Sequence, residues 1–152
     1  MRYDPHMIQP FRDELTRIGF RELRTPHDVD AALRESGTNL LVINSVCGCA
    51  AGKARPGIAM ALKASASRPT RLTTVFAGGD VEATARVREH IAGIPPSSPS
   101  IALFKDGTLV HFVPRYQIES RDARQIADHL IGALEEHCKD SVTENAPGKI
   151  PA

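Results

Sequence analysis

The hydrophobic and polar positions of this chain follow a helical period in five stretches. Apolar residues recur there every three or four positions, which predicts helices over about residues 6–18, 26–36, 50–67, 80–91 and 120–138. The apolar stripe of the first helix consists of Met7, Phe11, Leu15 and Ile18. The second helix has a clear start, because Thr25 suits an N-cap and Pro26 the first helical position. Asp80 suits the N-cap of the fourth helix.

Five strands are predicted between these helices, at residues 20–23, 38–46, 71–77, 100–105 and 109–113. Residues 38–46 are apolar at consecutive positions, which is typical of a central strand covered on both faces. Asp106-Gly107 is a hairpin signal between the last two strands. Alternating strands and helices imply parallel pairing in the first part of the chain. The pattern therefore predicts a mixed five-stranded sheet in an α/β protein, with helices on both faces and an extra N-terminal helix.

Composition places the chain among ordinary globular proteins. It has 152 residues, of which 41% are hydrophobic and 24% charged. We expect one domain over residues 1–138 and a flexible C-terminal tail over residues 139–152, because the tail is polar and contains Pro147, Gly148 and Pro151. The net charge of +1 gives no electrostatic reason to expect nucleic acid or an anionic membrane as a partner.

The distribution of apolar residues also bears on location. No apolar run approaches the ~18 residues of a transmembrane helix, and the N-terminus lacks the apolar core of a signal peptide. We therefore expect a cytoplasmic protein. Thiols are kept reduced in the cytoplasm, so a close cysteine pair there favours catalysis or metal binding over a structural disulfide.

Two of the three cysteines, Cys47 and Cys49, flank Gly48 at the junction between the predicted central strand and the third helix. Thiol–disulfide exchange requires a thiolate, which the N–H groups and partial positive charge of a helix N-terminus stabilise. Lys53 and Arg55 would add cationic charge nearby. The pair therefore predicts a redox-active site, with Gly48, Lys53 and Arg55 as supporting residues.

Two other interpretations of the pair remain open at this point. Free cysteines are often buried, so both could be small core residues at a strand end. They could also bind zinc, which normally requires four ligands. The other candidate ligands show no matching spacing, and they are Cys138, His90, His111 and His137. We predict no metal and no cofactor. Arg115 and Tyr116, which follow Pro114, either border the face of the cysteine pair or belong to an ordinary surface loop.

The order of elements, with a cysteine pair after the central strand, resembles the thioredoxin fold. Three segments together more closely resemble the bacilliredoxin family: Cys-Gly-Cys at 47–49, Pro-Pro-Ser-Ser-Pro at 95–99 and Ile-Glu-Ser-Arg-Asp-Ala at 118–123. The resemblance covers about residues 7–138. It implies an enzyme that reduces mixed disulfides between protein cysteines and bacillithiol, a low-molecular-weight thiol. Disulfide isomerase activity is also associated with the family, and a non-catalytic or metal-binding thioredoxin-like module is a further alternative.

The resemblance also implies roles for individual residues. Cys47 is the nucleophile and Cys49 the resolving thiol. Ser98 and Pro99 border the substrate, with the Ser98–Pro99 peptide bond in cis. Cys138 matches an accessory cysteine at the end of the last helix. The implied partners are bacillithiolated or disulfide-containing client proteins.

One departure from thioredoxin concerns proton transfer. The buried acid that assists thioredoxin's second cysteine has no obvious counterpart in residues 40–46. Proton transfer to the second thiol must therefore come from another group, or be slower.

The one-residue spacing has its own chemical consequence. Joining Cys47 to Cys49 closes a ring of about 11 atoms, against about 14 for a Cys-x-x-Cys disulfide, so the geometry of a relaxed disulfide requires backbone strain. Cysteines two apart in a helix point to nearly opposite sides, so the pair is predicted to lie in the loop before the helix, where Gly48 supplies backbone freedom. A strained disulfide is easier to reduce, and we expect a potential more oxidising than the roughly −270 mV of thioredoxin.

Overall fold

A computed structural model describes residues 2–138 of the chain. Its helices are α1 Pro5–Thr16, α2 Pro26–Arg34, α3 Arg55–Ala64, α4 Val81–His90, α5 Arg115–Glu119 and α6 Ala123–His137. Its strands are β1 Arg21–Glu22, β2 Thr38–Asn44, β3 Arg71–Phe76, β4 Ser100–Lys105 and β5 Thr108–Val113. A π-helical turn, Ala50–Ala54, leads directly into α3. The predicted tail over residues 139–152 lies outside the described residues.

The five strands form one mixed sheet in the order β1-β3-β2-β4-β5. Strand β3 pairs parallel with both β1 and β2, whereas β4 pairs antiparallel with β2 and β5. The hairpin between β4 and β5 turns at Asp106 and Gly107, whose φ angles of 52° and 83° match the favoured two-residue hairpin turn. The predicted mixed sheet with a closing antiparallel hairpin is confirmed.

Every residue of β2 is buried, because helices cover both faces of the sheet. Leu40 and Val42 point into a core formed with α3 and α6, while Leu41 and Ile43 point into a second core formed with α2 and α4. This alternation follows from the two-residue period of a strand. Helices α3 and α6 approach closely at Gly57, where a Cβ atom would lie 2.7 Å from Ile126 Cγ2.

The observed N-caps of the helices agree in part with those predicted from the sequence. Thr25 caps α2 in a full capping box with Asp28. Asp80 occupies the N-cap position of α4, but its carboxylate makes no capping bond. It instead accepts hydrogen bonds from Phe76 N at 3.0 Å and from the buried guanidinium of Arg12 at 2.9 and 3.0 Å.

Three local predictions were wrong. Met7 was assigned to the buried stripe of α1 but is 50% exposed, because Ile8 faces the core instead. No helix was predicted over residues 115–119, where α5 lies, and the predicted last helix (120–138) begins at Ala123 because Asp122 caps α6. The third helix begins as a π turn rather than as α-helix. Within residues 2–138, no helix is both long and apolar enough to span a bilayer.

Candidate active site

The two cysteines lie where the chain leaves the C-terminal end of β2. Because β2 pairs antiparallel with β4, and Ile43 lies opposite Ser100, the residues before β4 lie beside the residues after β2. The loop that contains Pro99 is therefore adjacent to the loop that contains Cys47. The Ser98–Pro99 peptide bond is cis, as the resemblance implies.

Cys47 is a partly exposed free thiol whose surroundings favour its thiolate. Burial opposes ionisation, but hydrogen bonds from the Ala50 backbone, the Ser45 side chain and the Cys49 backbone outweigh it, assisted by the positive charge of Arg115. The pKa of Cys47 is therefore lower than that of an ordinary cysteine. A lower pKa leaves more of the nucleophilic thiolate at neutral pH.

Cys49 is also partly exposed, but its pKa moves in the opposite direction. Burial raises the pKa of Cys49, and so do the thiolate of Cys47 and the carboxylate of Glu119. Cys49 Sγ lies 3.7 Å from Glu119 Oε2. One thiol of the pair is therefore set to ionise while the other stays protonated.

Arg115 is the cation that acts on the pair. Its Nε atom donates to Glu119 Oε2 at 3.0 Å, and its Nη1 atom donates to the carbonyl oxygen of Ser98 at 3.2 Å. Its backbone N–H donates to Ser97 Oγ at 3.2 Å. Of the two interpretations of Arg115 that the sequence allowed, the structure supports the one that places it on the face of the cysteine pair.

Arg55 was expected to add charge near the thiols, and this expectation was wrong. The side chain is 2% exposed and turns inward, where it donates to Glu14 Oε1, Asn44 Oδ1 and the Ser45 carbonyl oxygen at 2.7–2.9 Å. A guanidinium satisfies several acceptors at once. Arg55 therefore holds the end of β2 in place and acts on Cys47 only through the loop.

Lys53 lies at the edge of the site and, like Arg55, holds a part of the backbone in place. Its Nζ atom donates to the backbone carbonyl oxygen of Glu119 at 2.6 Å. This bond joins the π turn to the end of α5. The charge that lowers the pKa of Cys47 comes instead from Arg115, which is distant from Lys53 in the sequence.

Gly48 does not adopt a backbone conformation that requires glycine. Its φ angle is not positive, and a Cβ atom there would meet no other atom within 4 Å. Cys49 already has helical angles, with φ −63° and ψ −36°, so the pair does not lie wholly in a loop as predicted. Both cysteines are free thiols, and without a ring to close, the backbone can begin its helix at once.

Cys138 lies far from this site. It is 0% exposed and packs in the core between β2 and α6, where burial raises its pKa and Thr38 bonds to its thiol. Thr38 begins β2, whereas Cys47 follows its other end. A seven-residue strand is about 20 Å long, so Cys138 cannot reach Cys47 in this fold.

A pocket of about 450 Å³ opens next to the cysteine pair. Its lining is mostly apolar but includes the paired side chains of Arg115 and Glu119, and Tyr116 stands beside them with 69% of its surface exposed. The remaining lining residues are Ile94, Pro95, Pro96, Ser97 and Pro114. Across residues 2–138, no three His, Cys, Asp or Glu side chains are placed to hold a metal ion.

Comparison with known proteins relates this site to one family. A family model described as Disulphide isomerase matches residues 3–138. A bacilliredoxin of Salinibacter ruber is 54% identical, over 100% of this chain and 89% of that protein. A bacilliredoxin of Geobacillus kaustophilus is 47% identical, over 91% of this chain and 98% of that protein. This chain belongs to the bacilliredoxin family.

Solved structures place the bacilliredoxin chain in a wider fold class. A thioredoxin of Fasciola hepatica matches with a TM-score of 0.53 and 17% identity, over 78% of this chain and 99% of that one. A mutant thioredoxin of Halobacterium salinarum matches with a TM-score of 0.54 and 15% identity, over 79% and 91% of the two chains. These likenesses concern the fold, which is thioredoxin-like. The bacilliredoxin relatives support a thiol–disulfide oxidoreductase on this fold.

Proposed function

We propose that this bacilliredoxin reduces mixed disulfides between bacillithiol and the cysteines of client proteins. The Cys47 thiolate attacks the bacillithiol sulfur, and the client leaves as a thiolate. Cys49 then attacks Cys47 Sγ and releases bacillithiol, which leaves a Cys47–Cys49 disulfide for an external thiol reductant. We place this reaction in the cytoplasm, where thiols are kept reduced.

The observation that carries the proposal is the difference in surroundings of the two thiols: backbone N–H groups and the cation of Arg115 act on Cys47, whereas the carboxylate of Glu119 lies 3.7 Å from Cys49 Sγ. The pKa of Cys47 is lowered and that of Cys49 is raised. An attacking thiol needs its thiolate at neutral pH, whereas a resolving thiol must not compete with it for the substrate. This difference supports Cys47 as the nucleophile and Cys49 as the resolving residue.

The surroundings of the pair support a substrate site. The loop of Ser98 and Pro99 is adjacent to the loop of the thiols, Arg115 bonds to Ser98, and a pocket lined by Arg115 and Tyr116 lies nearby. A pocket with apolar walls and a few charged groups suits a small polar thiol or a short client segment. We assign this surface to the substrate and give Gly48 no specific part in binding.

A bacillithiolated client protein tests the proposal. Wild-type protein should release bacillithiol, and Cys47→Ser should release none. Cys49→Ser should stop after the first step and accumulate bacillithiol on Cys47, which mass spectrometry detects. The matched control Cys138→Ser should behave as wild type, because that thiol is buried. If Cys47→Ser removes bacillithiol as fast as wild type does, the proposal is wrong. Adducts of other low-molecular-weight thiols, assayed in parallel, establish which thiol is preferred.

A second candidate function is disulfide isomerisation. The description of the matching family model, Disulphide isomerase, favours it. A strained Cys47–Cys49 disulfide would also suit a protein that exchanges disulfides rather than one that only reduces them. Recovery of activity by scrambled ribonuclease, without activity on bacillithiol adducts, would select this function over the first.

A further inference from the structure

The carboxylate of Glu119 lies beside the second thiol of the site. Its Oε2 atom is 3.7 Å from Cys49 Sγ, close enough for a long S–H···O hydrogen bond. The same oxygen accepts a hydrogen bond from Arg115 Nε at 3.0 Å, which fixes the direction of the carboxylate. Catalytic hydrogen bonds are often long before the substrate binds and tighten afterwards.

Helix α5 is anchored independently of this carboxylate. Lys53 Nζ donates to the backbone carbonyl oxygen of Glu119, and Ser97 Oγ accepts from the backbone N–H of Arg115. Both bonds use the main chain of α5. A substitution that alters only the Glu119 carboxylate therefore leaves the helix attached to the site.

The resolving thiol requires a proton acceptor. Burial and its charged neighbours raise the pKa of Cys49, so little of it is ionised at neutral pH. Strand β2, with the sequence TNLLVIN, contains no acid that could accept the proton. Glu119 is the carboxylate whose charge acts on Cys49.

We propose that Glu119 is the general base of the resolving step, an assignment that rests on the two-cysteine mechanism proposed above. In that step Cys47 is joined to bacillithiol by a disulfide. Glu119 takes the Cys49 proton, a bond forms between Cys49 Sγ and Cys47 Sγ, and the bond from Cys47 to bacillithiol breaks. The electron pair leaves with the bacillithiol sulfur, which takes a proton from Glu119 or from water. Over both steps the two cysteines lose two electrons, and the client's mixed disulfide gains two.

The Glu119 carboxylate is open to the pocket beside the thiols. Its side chain is 47% exposed and lines that pocket, so a proton taken from Cys49 can pass on to water or to the departing thiolate.

Two-phase release of nitrothiobenzoate tests this assignment. The full-length reduced protein is mixed with one equivalent of dithiobis(nitrobenzoate), so that attack by Cys47 releases the first thiolate and resolution by Cys49 releases the second. Glu119→Gln should leave the first release unchanged or faster, because Arg115 then acts on Cys47 without a competing carboxylate. It should slow the second release by about 10²-fold at neutral pH. This deficit should shrink as the pH rises above the ordinary thiol pKa of about 8.5, because more of Cys49 then ionises without assistance.

Two variants serve as controls. Glu119→Asp keeps a carboxylate on a shorter side chain and should restore part of the second release. Glu135→Gln removes the same charge from an exposed position near the end of α6 and should match wild type. The inference is overturned if Glu119→Gln leaves the second release unchanged or accelerates it, if the deficit does not vary with pH, or if the first release is lost as well. Failure of the proposed function looks different, since wild type then releases no bacillithiol from a bacillithiolated client, even if both phases of nitrothiobenzoate release are normal.

Discussion

Two cysteines with opposite properties lie near the two ends of strand β2. At the C-terminal end, Cys47 is partly exposed, and N–H groups, a hydroxyl and Arg115 lower its pKa. At the N-terminal end, Cys138 is fully buried against the strand, and burial raises its pKa. The residue type is the same, so the contrast comes from what the fold places around each thiol. An open loop, a π turn and α5 surround the end of β2 near Cys47, whereas α6 covers the end near Cys138.

The contrast predicts its largest effect in thiol reactivity. In the folded protein at neutral pH, iodoacetamide should modify Cys47 at least about 10³-fold faster than Cys138, because a buried thiol reacts only when the structure opens. Peptide mass spectrometry over a time course measures both rates. In denaturant the two rates should become nearly equal. Comparable alkylation rates of Cys47 and Cys138 in the folded protein would instead make Cys138 a candidate accessory thiol.

The second-largest effect concerns the hydrogen bonds that hold the two ends of β2 in place. Arg55→Met removes the donor that joins Glu14, Asn44 and the Ser45 carbonyl, and it should lower the free energy of unfolding by about 2–4 kcal/mol. Thr38→Val at the other end removes an acceptor for Thr70 N and should cost about 1 kcal/mol. Urea unfolding measures both values. Equal costs would mean that Arg55 is not the main brace of the active-site end.

Arg115 supplies a smaller and more exposed contribution. In a Cys49→Ser background, Arg115→Gln should raise the pKa of Cys47 and slow its alkylation at neutral pH by about threefold to fivefold, since the interaction is partly screened by solvent. Added salt should reduce the difference between the two proteins. Arg124→Gln, which removes an exposed cation from α6, is the matched control and should alkylate at the unsubstituted rate. An effect of the same size in both variants would show that net charge, and not Arg115, sets the pKa.

The fold could be predicted from the sequence because its signals are local and repeated. A consecutive apolar run marked β2, the Thr25-Pro26 start marked α2, and Asp106-Gly107 marked the hairpin. Helix α5 was missed because its five residues contain one buried apolar side chain, Ile118, which is too little for a period. The π turn was missed because hydrophobic spacing does not distinguish it from the α-helix that follows.

The site could be predicted only for the residues that are adjacent in the chain. Cys47 and Cys49 were found by their spacing, but their partners come from segments far away in sequence. Arg55 is close to the two cysteines in sequence, but its side chain points inward. Hydrophobic periodicity does not predict that an arginine is buried. Glu119 belongs to a segment that resembles the family, and only the register of β2 with β4, together with the packing of α5 on the π turn, brings it to Cys49.

The smallest expected effect is a difference in the pH dependence of stability. Cys47 has a lowered pKa in the folded protein, so its ionisation stabilises the fold above the ordinary thiol pKa of about 8.5, and this contribution is lost as the pH falls through the lowered value. Cys138 has a raised pKa, so its contribution is complete below about 8.5 and declines as the pH rises towards the raised value. In a Cys49→Ser background, unfolding free energies of Cys47→Ala and Cys138→Ala, each compared with the parent across this range, should therefore give slopes of opposite sign. Slopes of the same sign would mean that the surroundings of Cys47 and Cys138 do not shift the two pKa values in opposite directions.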